Sequence, residues 1–285
     1  QALAEVGDGI ALNAGARLDD NEAFGTFATY RAGIAYTLAT GTRLHVGAGT
    51  GFKEPTILES FATGFAVGNP SLEPERSTSR EAGVEQALLD GRIALAGTYY
   101  DQRFEDLIQF TASPAEPGDP NFFNVAAATA SGVELDATVA AGGGLRFTAR
   151  YGYTATEVTN PGFDSGPDAA YVDGDPLLRR PAHTAGASLG YRPAGRVALH
   201  AGARYVGERD DRDFSTIPAT RVTLEPYTLV DLGGGLTVLE GGEGGPGLTI
   251  TARVANVFDV DYREVANFET PGRTVLVGAR FGAGR

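Results

Sequence analysis

Residues 143–153 read Gly-Gly-Leu-Arg-Phe-Thr-Ala-Arg-Tyr-Gly-Tyr. Successive side chains of an extended strand point to opposite faces. Leu145, Phe147, Ala149, Tyr151 and Tyr153 therefore share one face, and Arg146, Thr148, Arg150 and Gly152 share the other. The same period of two governs 195–206, where Val197, Leu199, Ala201, Ala203 and Tyr205 oppose Ala198, His200, Gly202 and Arg204. It governs 41–50, with Leu44, Val46 and Ala48 against Arg43, His45, Gly47 and Gly49. The last such segment, 273–281, sets Val275, Val277, Ala279 and Phe281 against Thr274, Gly278 and Arg280. Similar alternation near 9–18, 26–38, 79–88, 92–102, 122–139, 181–191, 227–238 and 247–256 brings the total to about twelve strands. Each approaches the ~9–11 residues that cross a bilayer at a tilt.

The connections alternate in length. Short turns fall at 39–41, 89–91, 141–143, 192–195 and 240–247, and long polar stretches at 52–77, 104–121, 157–180, 207–226 and 257–272. Short turns on one rim and long loops on the other are the pattern of an outer-membrane barrel. In a soluble sandwich the apolar face would be core; in a wide barrel it meets lipid, and the polar face lines a wet lumen. Alternation alone leaves both assignments open. The placement of Tyr99, Tyr100, Tyr151, Tyr153, Tyr191 and Tyr205 near strand ends favours interfacial girdles and hence the membrane reading. The expected fold is all-β, a transmembrane antiparallel β-barrel.

Composition agrees. Glycine accounts for 40 of 285 residues, and Cys, Met and Trp are absent. Without cysteine there are no disulfides, thiolate metal sites or cysteine nucleophiles. A chain that starts at Gln1 and lacks methionine is expected to have had residues removed upstream. A net charge of −13 makes nucleic acid an improbable partner, because phosphate binding needs clustered Lys and Arg. The acidic residues gather in the loops, Asp210, Asp211 and Asp213 among them, and read as solvated charge. No window is apolar enough for a transmembrane helix, which says nothing of a barrel, where only alternate side chains face lipid.

Two motif clusters carry a resemblance. The first runs Gly51-Phe52-Lys53-Glu54-Pro55, then Gly68-Asn69-Pro70-Ser71-Leu72-Glu73-Pro74-Glu75, continuing through Ser77, Glu81, Gly83 and Val84. The second is Asn256-Val257-Phe258-Asp259, Asp261-Tyr262 and Thr270-Pro271-Gly272-Arg273, before a final strand with Phe281. In this order and separation they resemble the barrel signatures of TonB-dependent outer-membrane receptors, with Lys53 where that family usually has Arg. The resemblance implies a Gram-negative outer-membrane location and uptake of a scarce nutrient such as a siderophore or cobalamin. It implies a twenty-two-stranded barrel, of which this chain would supply roughly the second half as residues 1–281. Residues 282–285 would be an extension past the terminal aromatic. The family's plug domain and TonB-contacting box have no counterpart in these residues. The partners implied are membrane lipid, the TonB complex through the N-terminal region, the barrel-assembly machinery through the last strand, and a small nutrient ligand.

The motif residues also have structural readings. Pro55, Pro70 and Pro74 lack the N–H a ladder needs and belong in a loop. Asn69-Pro70 and Pro271-Gly272 form turns, Asn256 and Asp259 suit side-chain caps at a strand end, and Arg273 suits a rim position beside a carboxylate. Ligand contacts are expected from loop side chains, since loops carry function on a rigid scaffold; Phe61, Phe65, Phe122, Phe123, Phe163, Tyr171, Arg209 and Phe214 are the candidates. No catalytic, cofactor or metal set stands out: His45, His183 and His200 lack zinc spacing, and no Gly-x-Ser-x-Gly elbow occurs. The alternatives are a stand-alone twelve-stranded barrel acting as hydrolase or channel, and a soluble all-β binding module.

Overall fold

A computed structural model describes the chain apart from residues 8, 23, 111–117, 163–170, 217–218, 241–245 and 284–285. Thirteen strands form one antiparallel sheet: β1 (Ala2–Val6), β2 (Ile10–Asn21), β3 (Gly25–Thr37), β4 (Thr42–Lys53), β5 (Glu75–Leu88), β6 (Ile93–Phe110), β7 (Phe122–Gly142), β8 (Leu145–Asn160), β9 (His183–Tyr191), β10 (Val197–Val206), β13 (Tyr227–Leu239), β14 (Pro246–Ala255) and β15 (Thr274–Ala283). Within it every strand pairs with its sequence neighbour, except that β10 passes directly to β13. Between those two, β11 (Arg209–Asp213) and β12 (Thr220–Leu224) form a separate ribbon. One short helix, α1 (Ile57–Phe61), lies between β4 and β5.

All twelve segments with period-two alternation are strands. β1 is a thirteenth that sequence reading passed over; its five residues are too few for the alternation to register. β6 runs longer than expected, to Phe110 within the 104–121 stretch, because a bulge lets its ladder with β7 continue. Their register shifts between Phe104 and Leu107, where Asp106 adopts φ 58°. The polar stretch 207–226 holds the ribbon. The 52–77 stretch holds α1, whose Thr56 and Glu59 make a reciprocal capping box.

The registers align the apolar residues into a belt. One row runs Val139, Phe147, Leu189, Ala201, Leu232, Val254 and Val275 across seven consecutive strands. These side chains are not core: Leu44, Val46, Leu135, Leu189, Leu232 and Val277 are all exposed, and the few buried apolar residues, such as Leu72, Phe122 and Val158, are scattered. A soluble sandwich would bury this face against a second sheet. None covers it among the described residues, and an exposed apolar belt flanked by aromatics is what an outer-membrane barrel turns toward lipid. Tyr153 and Tyr151 lie toward the loop rim of the belt, and Tyr191 and Phe281 toward the turn rim, as two aromatic girdles require.

Tyr100 does not belong to a girdle. It projects from the polar face, where its hydroxyl bonds the Thr154 hydroxyl at 2.6 Å after crossing Gly132 on the intervening strand. A Cβ at Gly132 would lie 2.1 Å from the Tyr153 carbonyl oxygen and 2.6 Å from the Tyr100 hydroxyl, so only glycine fits. His183 takes the opposite face from His45 and His200. It pairs with Tyr153 across the strands and shares a 2.8 Å hydrogen bond with the Tyr151 hydroxyl.

Candidate functional site

The polar face of the sheet and the long loops above it are where this architecture can meet a solute. The wall is built of charged pairs between strands: Arg43 with Glu85, Arg150 with Asp136, and Arg253 with Asp231. Glycines alternate with these charges, so that one row reads Arg146, Gly190, His200, Gly233 and Arg253. The missing side chains leave a concave shelf in which the His200 ring lies over Gly233.

The first motif cluster builds one loop group. Lys53 closes β4 with its ammonium 3.1 Å from Glu75, which opens β5, and 3.7 Å from Glu59 of α1. The other lysine-facing partner, Glu75, also accepts the Ile108 amide at 3.0 Å. Phe52 stacks on Phe27 at 5.1 Å, and Pro55 and Pro74 are buried while Pro70 is exposed. Gly68 is buried so tightly that a Cβ would lie 2.5 Å from the Phe61 and Ala62 nitrogens. Asn69 accepts the Ser71 amide and donates to the Phe122 carbonyl, which ties this loop to the start of β7. Asn121 and Asn124 complete the tie, accepting the Val67 and Glu73 amides at 2.7 and 2.6 Å.

The second cluster folds the 256–273 loop. Asn256 is buried at φ 50°, and its amide side chain donates to the Val260 carbonyl and accepts the Val260 N–H, both at 2.9 Å. Its own N–H donates to Asp231 at 3.0 Å. Asp259, at φ 57°, accepts the Arg273 amide at 2.6 Å and lies 3.6 Å from its guanidinium. Gly272 leaves room for that carboxylate beside Pro271. Tyr262 packs on Tyr227 at 4.6 Å, whereas Phe258 on this loop and Phe281 on β15 are exposed.

Of the expected ligand contacts, Phe61, Phe65 and Phe214 are exposed at the loop rim, and Phe123 and Tyr171 are half-buried. Phe163 lies outside the described residues. Two candidates are buried. Phe122 is buried edge-on against Phe110 at 5.3 Å. Arg209 is buried over the Tyr227 ring, donating to the Arg263 carbonyl at 2.6 Å, because a guanidinium with an aromatic face and a carbonyl within reach is better satisfied inside the loop than in solvent.

The acidic run at 210–213 also departs from solvated charge. Asp211 is fully buried and accepts three donors: Arg179 Nε at 2.6 Å and the Arg212 and Ala266 amides, each at 2.8 Å. Asp210 takes a two-pronged contact from Arg221, which also reaches Asp175 at 2.6 Å. Glu264 accepts Arg204 at 2.6 Å and Tyr227 at 3.1 Å. No sequence pattern marked Asp211, since its partners come from distant loops. Phe268, exposed beside this cluster, was also missed; its loop position was its only signal.

Burial by itself would raise the Asp211 carboxyl, but the bonds from Ala266, Arg179 and Arg212 outweigh it and hold the group below the usual carboxylate range. Bonds from Ser215 lower Asp213, and the bond from Arg204 lowers Glu264. A carboxylate with a depressed folded value contributes stability above its unfolded value and loses it as pH falls through the folded one. The loop cluster is therefore expected to be indifferent to pH from 8 to 5 and to loosen only below about pH 4. Peptic cleavage within 207–226 and 257–273, followed from pH 4.5 downward, checks this; cuts already present at pH 4.5 would contradict it.

Comparison with known proteins fits this geometry. A family model described as TonB dependent receptor-like, beta-barrel, matches residues 1–257. The vitamin B12 transporter BtuB of Photobacterium profundum is 30% identical over 270 residues, which is 93% of this chain and 39% of that protein. Among solved structures, FpvA of Pseudomonas aeruginosa, determined with pyoverdines bound, superposes with a TM-score of 0.74 at 19% identity, covering 97% of this chain and 37% of that one. The ferric-catecholate import receptor Fiu of Escherichia coli gives 0.72 at 17% identity, covering 97% and 43%. At those identities the two structures speak for the fold alone. The chain spans less than half the length of each of these relatives, and among the described residues the outermost strands of the sheet, β1 and β15, each pair on one side. From its lipid-facing belt, charged wall, motif-built loops and family match, the chain belongs to the TonB-dependent receptors of the Gram-negative outer membrane, as a part of their β-barrel.

Proposed function

We propose that this chain forms the wall and outer loops of a receptor that takes up a scarce nutrient with energy delivered through TonB. The observation that carries the reading is the pairing of a lipid-facing belt with a charged, glycine-rich concave wall beneath loops held by buried hydrogen bonds. A passive pore needs the belt and a wet wall; loops ordered at this cost suit capture of a dilute solute. The 30% identity to a protein named as a vitamin B12 transporter makes cobalamin the first cargo to test, with ferric siderophores second. The TonB complex is reached through N-terminal residues outside this chain, and β15 with its exposed Phe281 is the segment offered to the barrel-assembly machinery.

The test is uptake of labelled cyanocobalamin and of ferric siderophores by cells whose only receptor of this kind is the full-length protein. Accumulation of one cargo that stops when TonB is deleted is the expected result. Uptake that continues unchanged without TonB would overturn the proposal in favour of a passive channel.

A further inference from the structure

The ribbon β11–β12 sits between two other loops, and its bonds to both converge on one carboxylate. On one side Arg179 brings its Nε to Asp211 Oδ1 at 2.6 Å, and its backbone N–H to the Asp210 carbonyl at 2.7 Å. On the other side the Ala266 amide donates to Asp211 Oδ2 at 2.8 Å. Arg179 and Asn267, at the two contact points, are held at φ 58° and 64°, a conformation with a steric cost for non-glycine residues. Other ties surround the pin: Arg221 joins Asp210 to Asp175, Arg209 reaches the Arg263 carbonyl, and Asn267 bonds Asp213.

This arrangement fixes two exposed aromatic rings. Phe214 follows Asp213 and Phe268 follows Asn267, and the Asp213–Asn267 bond at 2.5 Å joins the residues that precede them. Phe214 and Phe268 are 66% and 67% exposed, so packing does not hold them. Arg212 lies 5.7 Å over the Phe214 ring. Large aromatics presented to solvent on a backbone fixed by buried hydrogen bonds are the composition of a recognition surface.

We propose that Asp211 is a positioning residue that locks the loops 171–180, 207–226 and 257–273 into one body, which carries Phe214 and Phe268 together and moves as a unit. Asp211 joins loops on both sides, whereas Arg179 serves only the 171–180 side. A hierarchy of effects follows that a set of independent surface contacts would not produce. The lock concerns the loops alone, so its failure leaves the transport reading untouched.

Amide exchange on the full-length receptor in detergent, followed by mass spectrometry, tests the hierarchy. Asp211→Ala is expected to speed exchange roughly ten- to a hundredfold in peptides from both 171–180 and 257–273. Arg179→Gln is expected to do so in 171–180 alone. Peptides from β9 and β10 should keep wild-type protection; if Asp211→Ala disturbs them, the milder Asp211→Asn is read in its place. Loosening of one flanking loop only by the Asp211 variants, or of both loops equally by Arg179→Gln, would overturn the lock.

Discussion

Leu189→Arg is expected to cost the assembled barrel about 1–3 kcal/mol, between the cost of arginine at the middle of a lipid-facing strand and its small cost at the interface. Leu189 lies between Phe147 and Ala201 on the belt, one side-chain row inside Tyr191, where a guanidinium has no carboxylate beside it on that face. The control is Ala96→Arg. Ala96 occupies the polar face between Glu85 and Asp136, so arginine there gains two acidic neighbours and should cost under about 1 kcal/mol. Urea unfolding of the full-length receptor in phosphocholine vesicles separates the two cases. Equal costs, or a larger one at Ala96, would mean that the faces have been assigned the wrong way round.

Asn256→Ala is expected to destabilise the 256–273 loop by about 3 kcal/mol. Two side-chain hydrogen bonds to Val260 vanish in a buried site, leaving an N–H and a carbonyl without partners, at about 1–3 kcal/mol. Alanine also tolerates φ 50° less well than asparagine, which adds about 1 kcal/mol. Asn256→Asp keeps an acceptor for the Val260 amide but loses the donor, and should fall between wild type and alanine. Protease nicking between Phe258 and Glu269 in folded receptor would report the change, and a loop as resistant as wild type in the alanine variant would remove Asn256 from its assigned role. The spacing of the motif thus has a physical content: Asn256 closes the turn, and Asp259 bonds the amide of Arg273 so that the chain re-enters the sheet as β15.

The strands were legible because alternation is a local property that survives any tertiary arrangement. Leu145 to Tyr153 reads as a strand from nine residues, and the neighbouring strands repeat it in register. The girdle assignment was legible only in part. Tyr99 and Tyr100 are adjacent and cannot share a face, and Tyr100 proved to be the residue that crosses Gly132 to Thr154. The helix α1 was not anticipated within the polar 52–77 stretch, although Thr56 and Glu59 carry the local signal of its capping box. The ribbon was hidden: Arg209 to Asp213 is uniformly polar and shows no alternation, and it pairs because the loops around it hold its charges.

The sequence by itself determined the order of the strands, the short and long connections between them and the two chemically distinct faces. Each of these depends on neighbours within a few residues. Only the tertiary structure decided which face meets lipid, that Phe122 and Arg209 are buried, and that Asp211 is not solvated. Those outcomes depend on partners far apart in the chain, such as Ala266, 55 positions from Asp211, and Arg179, 32 positions away. Only the sheet's pairing brings those loops to one rim, where a charge that would be hydrated alone finds three donors and is buried.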